Sequence, residues 1–175
     1  MYMYKDLGFR PIEREDLDAL KELHNDQSTF LNLATIHMVD DDDQEAWWEI
    51  QKSKKGDERY SLIRQNTDKE ELIGRLRIVN IDNANRNCEV GLDILPHLRG
   101  QGLGKKSYYM VLEYLFMHQN MNMVYLKAAD YNPEAIGLYE KVGFRHTGYL
   151  KDFLYRHGKY WNYLIMCITK DEYLS

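Results

Sequence analysis

Apolar residues recur along this chain with two periods, about 3.6 for helices and about 2 for strands, and the switches between them mark its elements. Phe9-Arg10-Pro11-Ile12 predicts a short strand, and Leu17, Leu20, Leu23 and His24 then fall at helical spacing. A second helix opens where Asp40-Asp41-Asp42-Asp43 runs into Ala46, Trp47 and Ile50. Tyr60-Ser61-Leu62-Ile63 predicts a strand ending in a polar turn at Asn66-Thr67-Asp68. Beyond it Leu72, Gly74, Leu76 and Ile78 alternate with Ile73, Arg75, Arg77 and Val79. The turn Asp82-Asn83-Ala84-Asn85 leads into residues 88–95, completing an antiparallel meander that stops at Pro96. A glycine-rich turn then precedes a long helix, with Leu103, Ser107, Met110, Val111, Tyr114, Leu115 and His118 along one face.

Residues 124–128 predict another strand. Asn132 and Pro133 offer the side-chain cap and preset φ of a helix start, and Gly143 supplies the left-handed residue that ends it. Two last strands flank His157-Gly158, the second running over 160–168. The sum is a mixed α/β or α+β sheet with interleaved helices.

Composition narrows the classes. The 175 residues carry no linker or repeat and suit one domain over 1–175. With 44% hydrophobic residues the chain can bury a core, and its formal net charge of -5 offers no global basic field, so nucleic acid is not an expected partner. Cys88 and Cys167 form no C-x-x-C pair and the six histidines have no ligand spacing, so neither a disulfide framework nor a metal is expected. Residues 1–6 lack the apolar run of a signal peptide. The richest apolar stretch, 108–117, is broken by Glu113 and falls short of the ~20 residues a membrane span needs, which predicts a cytoplasmic protein without a membrane partner. The acidic run 40–43 fits either a cation or polyamine site or, as favoured here, a helix N-terminus where carboxylates oppose the dipole.

Chemistry concentrates at Arg99-Gly100-Gln101-Gly102-Leu103-Gly104-Lys105-Lys106, between a strand and a helix. Free N–H groups at a helix start favour a phosphate, and glycine permits close backbone approach. The Walker A pattern fails, because its first glycine would fall at Arg99 and its Lys-Ser/Thr pair is Lys105-Lys106. The dinucleotide fingerprint fails because its third glycine would fall at Lys105, which leaves either a phosphate cradle of another kind or a strand-to-helix turn with no ligand.

The loop 99–104 resembles the acyl-CoA pyrophosphate loop of the GNAT superfamily of N-acetyltransferases. Residues 89–96 are similar to that family's fourth strand, 132–144 to its Asn-x-x-Ala-x-x-Leu-Tyr-x-x-x-Gly-Phe block, and 9–17 to its usual opening. The resemblance implies a twisted, mostly antiparallel mixed sheet of six to seven strands with about four helices. It also implies acetyl-CoA as co-substrate. Leu92, Asp93 and Ile94 would pair with the pantetheine arm and Asn132 would touch it. Arg99, Gly100 and Leu103 belong to the loop, and the amides of Gln101, Gly102, Gly104 and Lys105 would hold the pyrophosphate. Related proteins often pair through their final strands; that analogy suggests a homodimer and leaves the oligomeric state open.

The implied reaction is direct attack of a primary amine on a thioester. Tyr139 matches the family's acid for the departing thiolate, against a plain core tyrosine. Glu89 matches a glutamate near the amine, against a solvated edge carboxylate. Residues 29–38 and the helix carrying Trp47 and Trp48 would wall the acceptor pocket, with Trp47 packing and Trp48 stacking on substrate. The chain is similar to a branch holding spermidine, ribosomal-protein alanine and amino-sugar-nucleotide acetyltransferases. An amino-sugar nucleotide is the first expectation for the small-molecule amine, with polyamine or protein N-terminal alanine as alternatives.

Overall fold

The computed structural model describes residues 1–53, 57–66 and 69–175. Eight strands form one sheet: β1 (Tyr2–Tyr4), β2 (Leu7–Pro11), β3 (Glu58–Asn66), β4 (Lys69–Asp82), β5 (Asn87–Ile94), β6 (Met123–Ala129), β7 (Arg145–Arg156) and β8 (Lys159–Thr169). Their order is β1-β2-β3-β4-β5-β6-β8-β7. All neighbours run antiparallel except β5 and β6. The helices are α1 (Leu17–Asn25), α2 (Gln27–Phe30), α3 (Asp41–Ser53), α4 (Leu103–Glu113), α5 (Pro133–Val142) and α6 (Lys170–Leu174). The class is the expected one. The surplus over the expected counts lies in the three-residue β1 and the one-turn α2 and α6, which are too short to carry a period.

Local chemistry sets the boundaries. Asp40 and Asp43 exchange backbone-to-carboxylate hydrogen bonds across the start of α3, at 2.9 and 3.3 Å. The acidic run is therefore a helix start, as favoured. The Asn132 side chain accepts from the Ala135 amide, and Gly143 caps α5 at φ 114°. One expectation fails at the end of α4. Residues 114–118 widen into a π turn, closed by Gln119 N–H to Tyr114 C=O at 3.0 Å, and His118 is exposed rather than on the buried face. The wider turn breaks the phase of the apolar stripe. The polar turn expected at 66–68 falls partly outside the described residues.

The core joins α1 and α4 to the sheet through Leu20, Leu23, Tyr108, Met110 and Leu112 with Ile78, Val90 and Leu126. A polar lock sits at its edge. Asp16, 5% exposed, accepts two bonds from Arg10 at 2.6 and 3.0 Å, one from Ser61 at 2.6 Å and one from the Glu13 amide at 2.9 Å. Burial alone would raise its pKa, but the bonds from Arg10, Ser61 and Glu13 prevail and hold it below the usual value.

Candidate active site

β5 and β6 pair only at Asn87↔Met123, Cys88↔Val124 and Glu89↔Tyr125, and then diverge. β6 continues against β8 to Ala129, and β5 continues against β4 to Ile94. The strands thus open like a V, and residues 90–94 present an edge with no strand beside it among the described residues. In an antiparallel pair, successive residues turn their main-chain groups to opposite sides. Leu95 N–H bonds Ile73 C=O on β4, and Arg99 Nε bonds Ile94 C=O from the other side, each at 2.9 Å. Leu92 and Ile94 therefore face the open edge, while Asp93 turns its main chain to β4. This corrects the expected trio: Asp93 does not present its backbone to a ligand on that edge. Its carboxylate instead accepts from Arg75 at 2.8 Å.

At the mouth of the V stands the glycine loop. Gly100 and Gly102 have φ of 77° and 75°, and nothing lies within 4 Å of where a Cβ would be. Gly102 begins α4 without a side-chain cap, and the first helical bond is Lys106 N–H to Gly102 C=O at 3.2 Å. Among the described residues, the amides of Leu103, Gly104 and Lys105 find no acceptor in the chain. Three N–H groups point outward with no acidic side chain in the first turn, which suits a diphosphate. Gly104 has a packing role too, since a Cβ there would press Leu138 of α5 at 3.3 Å.

The V opens into a cleft of about 1580 Å³. Of the expected cofactor residues, Leu92, Asp93, Ile94, Arg99, Gly100, Gly102, Leu103, Gly104, Lys105 and Asn132 line it, and Gln101 does not. Arg99 is a strut rather than a free cation. Besides Ile94 C=O it donates to Ser28 Oγ and Thr29 Oγ1 of α2, each at 2.5 Å. Asn132 divides its amide group: Oδ1 caps α5, and Nδ2 makes no hydrogen bond among the described residues.

Tyr139 lines the cleft beside Tyr108, ring centroids 5.3 Å apart and edge to face. The protein packed around the Tyr139 hydroxyl raises its pKa, with the Tyr108 hydroxyl pulling the other way. Tyr108 Oη is itself buried and meets no hydrogen-bond partner in good geometry among the described residues. Glu89 is only 4% exposed, which excludes the solvated-edge reading. It does not line the cleft; Oε2 accepts from Lys127 at 2.8 Å and Asn80 at 3.0 Å, and Arg77 stands 4.0 Å from Oε1. Lys127 and Arg77 do line it, so two cations stand between Glu89 and the cleft.

The acceptor side is walled by α2, the segment 31–39 and α3. Buried Arg156 of β7 pins that segment by donating to Leu31 C=O at 3.2 Å and Leu33 C=O at 2.6 Å, and Tyr131 Oη donates to Leu31 C=O at 2.5 Å. The two tryptophans exchange their expected places. Trp47 lines the main cleft, while Trp48 lies against a smaller hollow beside Pro11 and Tyr60. Successive helical residues differ by about 100° in direction, and the weakly amphipathic α3 gives no phase to choose between them. Sequence reasoning also missed Arg59, Arg75 and Arg77, which line the same wall. Their signal was the i, i+2 pair at 75 and 77, which the alternation along the strand places on one face with Ile73 and Val79.

The open edge, the uncapped amides and the cleft suit an extended, diphosphate-bearing carrier. Residues 6–145 match the model of the acetyltransferase (GNAT) domain, and the chain belongs to that family. It is accordingly an N-acetyltransferase, with no helix among the described residues long and apolar enough to cross a membrane. It is 28% identical to the spermidine N(1)-acetyltransferase of Escherichia coli K12, over 95% of this chain and 87% of the relative. It is 24% identical to the ribosomal protein uS5 alanine N-acetyltransferase of the same organism, over 61% and 55%. The crystal structure of spermidine N-acetyltransferase from Vibrio cholerae in complex with CoA and spermine superposes with a TM-score of 0.89 at 26% identity, covering 98% of this chain and 100% of that one.

Proposed function

We propose that this chain, acting as one acetyltransferase domain, transfers acetyl from acetyl-CoA directly to a primary amine of a small molecule. The observation that carries the reading is the single-sided edge at Leu92 and Ile94 leading to the uncapped start of α4. An extended pantetheine can add to that edge by backbone pairing while its diphosphate meets the amides of Leu103, Gly104 and Lys105. Acetyl-CoA supplies the thioester carbonyl and the thiolate leaving group.

The chain's own residues handle the protons. The acceptor must arrive as a neutral amine, so one proton leaves to solvent through the open cleft as the N–C bond forms. Tyr139 Oη gives its proton to the sulfur as the C–S bond breaks and regains one from solvent. Its raised pKa keeps it in the donor form at neutral pH. Glu89 acts by holding Lys127 at the cleft rather than by meeting the amine, because both of its oxygens face cations or Asn80.

Two acceptors have support. The relatives' named substrates move weight from an amino-sugar nucleotide to a polyamine, since the spermidine enzymes match over nearly the whole chain. The wall of Arg59, Arg75 and Arg77 favours an amine on an anionic carrier. Thiol release from acetyl-CoA with Tyr139→Phe tests the chemistry: we expect kcat to fall by about a hundredfold or more, with KM for acetyl-CoA little changed. Turnover equal to the unmodified protein would remove Tyr139 as the acid. With the unmodified protein, kcat/KM should rise up to about tenfold per pH unit from pH 7 to 9 as the ammonium deprotonates. Any fall from loss of the Tyr139 proton should come at a higher pH than for an ordinary tyrosine, because burial shifts its pKa upward.

A further inference from the structure

Resting on the N-acetyltransferase reading, we propose that the acceptor half of the cleft selects an amine whose molecule also carries an anion, a carboxylate or a phosphate, and that Arg59, Arg75 and Arg77 do the selecting. Register brings them together. Arg59 sits directly opposite Arg77 on β3 and β4, and Arg75 follows two positions along on the same face. Arg75 has a close carboxylate in Asp93, at 2.8 Å. The other two do not: Asp57 lies 4.0 Å from Arg59 and Glu89 4.0 Å from Arg77, both beyond hydrogen-bond reach. Arg59 Nε is buried with no acceptor among the described residues.

A guanidinium presents five donors in a planar fork that matches carboxylate and phosphate oxygens two at a time. Gly91 gives Arg77 its path to the transfer edge. A Cβ there would lie 2.5 Å from Arg77 Nε, so the side chain crosses β5 only over a glycine. Of the carboxylates in the same cleft Asp93 is paired with Arg75, Asp26 and Asp43 accept from the neutral amides of Ser28 and Asp40, and Glu134 lines the cleft as well. A polycation would bring a second ammonium against Arg59 and Arg77, where like charges repel.

The test is an acetyl-CoA-dependent thiol-release assay on matched pairs: cadaverine against lysine, which differ by a carboxylate, and glucosamine against glucosamine 6-phosphate, with spermidine alongside. The anionic member of one pair should exceed its partner in kcat/KM by about tenfold or more, and the pair concerned names the anion. Arg59→Met and Arg77→Met should each shrink that ratio towards one without moving KM for acetyl-CoA, and Arg77→Lys should keep part of it. Preference for the cation in both pairs, or a ratio that survives both methionine variants, overturns the proposal while leaving the acetyltransferase intact. No thiol release from any amine, with no thermal protection by acetyl-CoA, would instead sink the underlying reading.

Discussion

Arg10 and Arg59 sit on neighbouring strands and live in opposite circumstances. Arg10 spends its guanidinium on Asp16 and Glu70, at 2.6, 3.0 and 2.7 Å, and those bonds raise its pKa. Among the described residues Arg59 has no carboxylate within hydrogen-bond reach, and burial followed by the Arg77 charge lowers its pKa. The first arrangement locks the entry to α1 onto β2 and β3. The second gives the fold nothing evident, and the uncapped amides of α4 share that condition. Along the cleft, polar groups answered from within belong to the scaffold, whereas Arg59 and the first amides of α4 are left for a ligand.

The largest expected effect breaks the answered side. Asp16→Asn should cost about 3 kcal/mol by leaving Arg10 and Ser61 short of an acceptor, a fall in Tm of about 10 °C in thermal melts. Because the folded pKa of Asp16 is depressed, its contribution is present above about pH 3.9 and lost as pH falls through the lower folded value. The variant should therefore lose less of its remaining stability than the unmodified protein between about pH 4 and 2. Next comes the unanswered loop. Gly102→Val forces a β-branched residue to φ 75° and should abolish thermal protection by acetyl-CoA, worth about 2.7 kcal/mol at a hundredfold excess over Kd. Smaller still, Arg59→Met should leave stability within about 1 kcal/mol or raise it, since a buried donor without a partner disappears. A loss as large as that of Asp16→Asn would show that Arg59 belongs to the scaffold and dissolve the contrast. Smallest, Gly91→Ala should displace Arg77 and raise the acceptor KM by a few fold in steady-state assays.

Much of this is legible in the amino-acid sequence. Caps are local chemistry, so Asn132, Gly143 and the acidic start of α3 could be read residue by residue. The glycine loop was legible for the same reason. What escaped depends on register or phase. Nothing local says that Arg59 meets Arg77, that Asp93 turns its backbone inward, or that Arg77 and Lys127 screen Glu89 from the cleft. Trp47 and Trp48 are adjacent in sequence, and only the docking of α3 decides which of them reaches the cleft.

The strut made by Arg99 joins two halves of the machine that could otherwise have evolved apart. One guanidinium ties the end of β5 to Ser28 and Thr29, so the seat of the donor and the wall of the acceptor share a hinge pin. Anyone transplanting residues 26–39 from another acetyltransferase to change its taste in amines would have to carry a matching partner for position 99, or the graft would unsettle the grip on the donor as well.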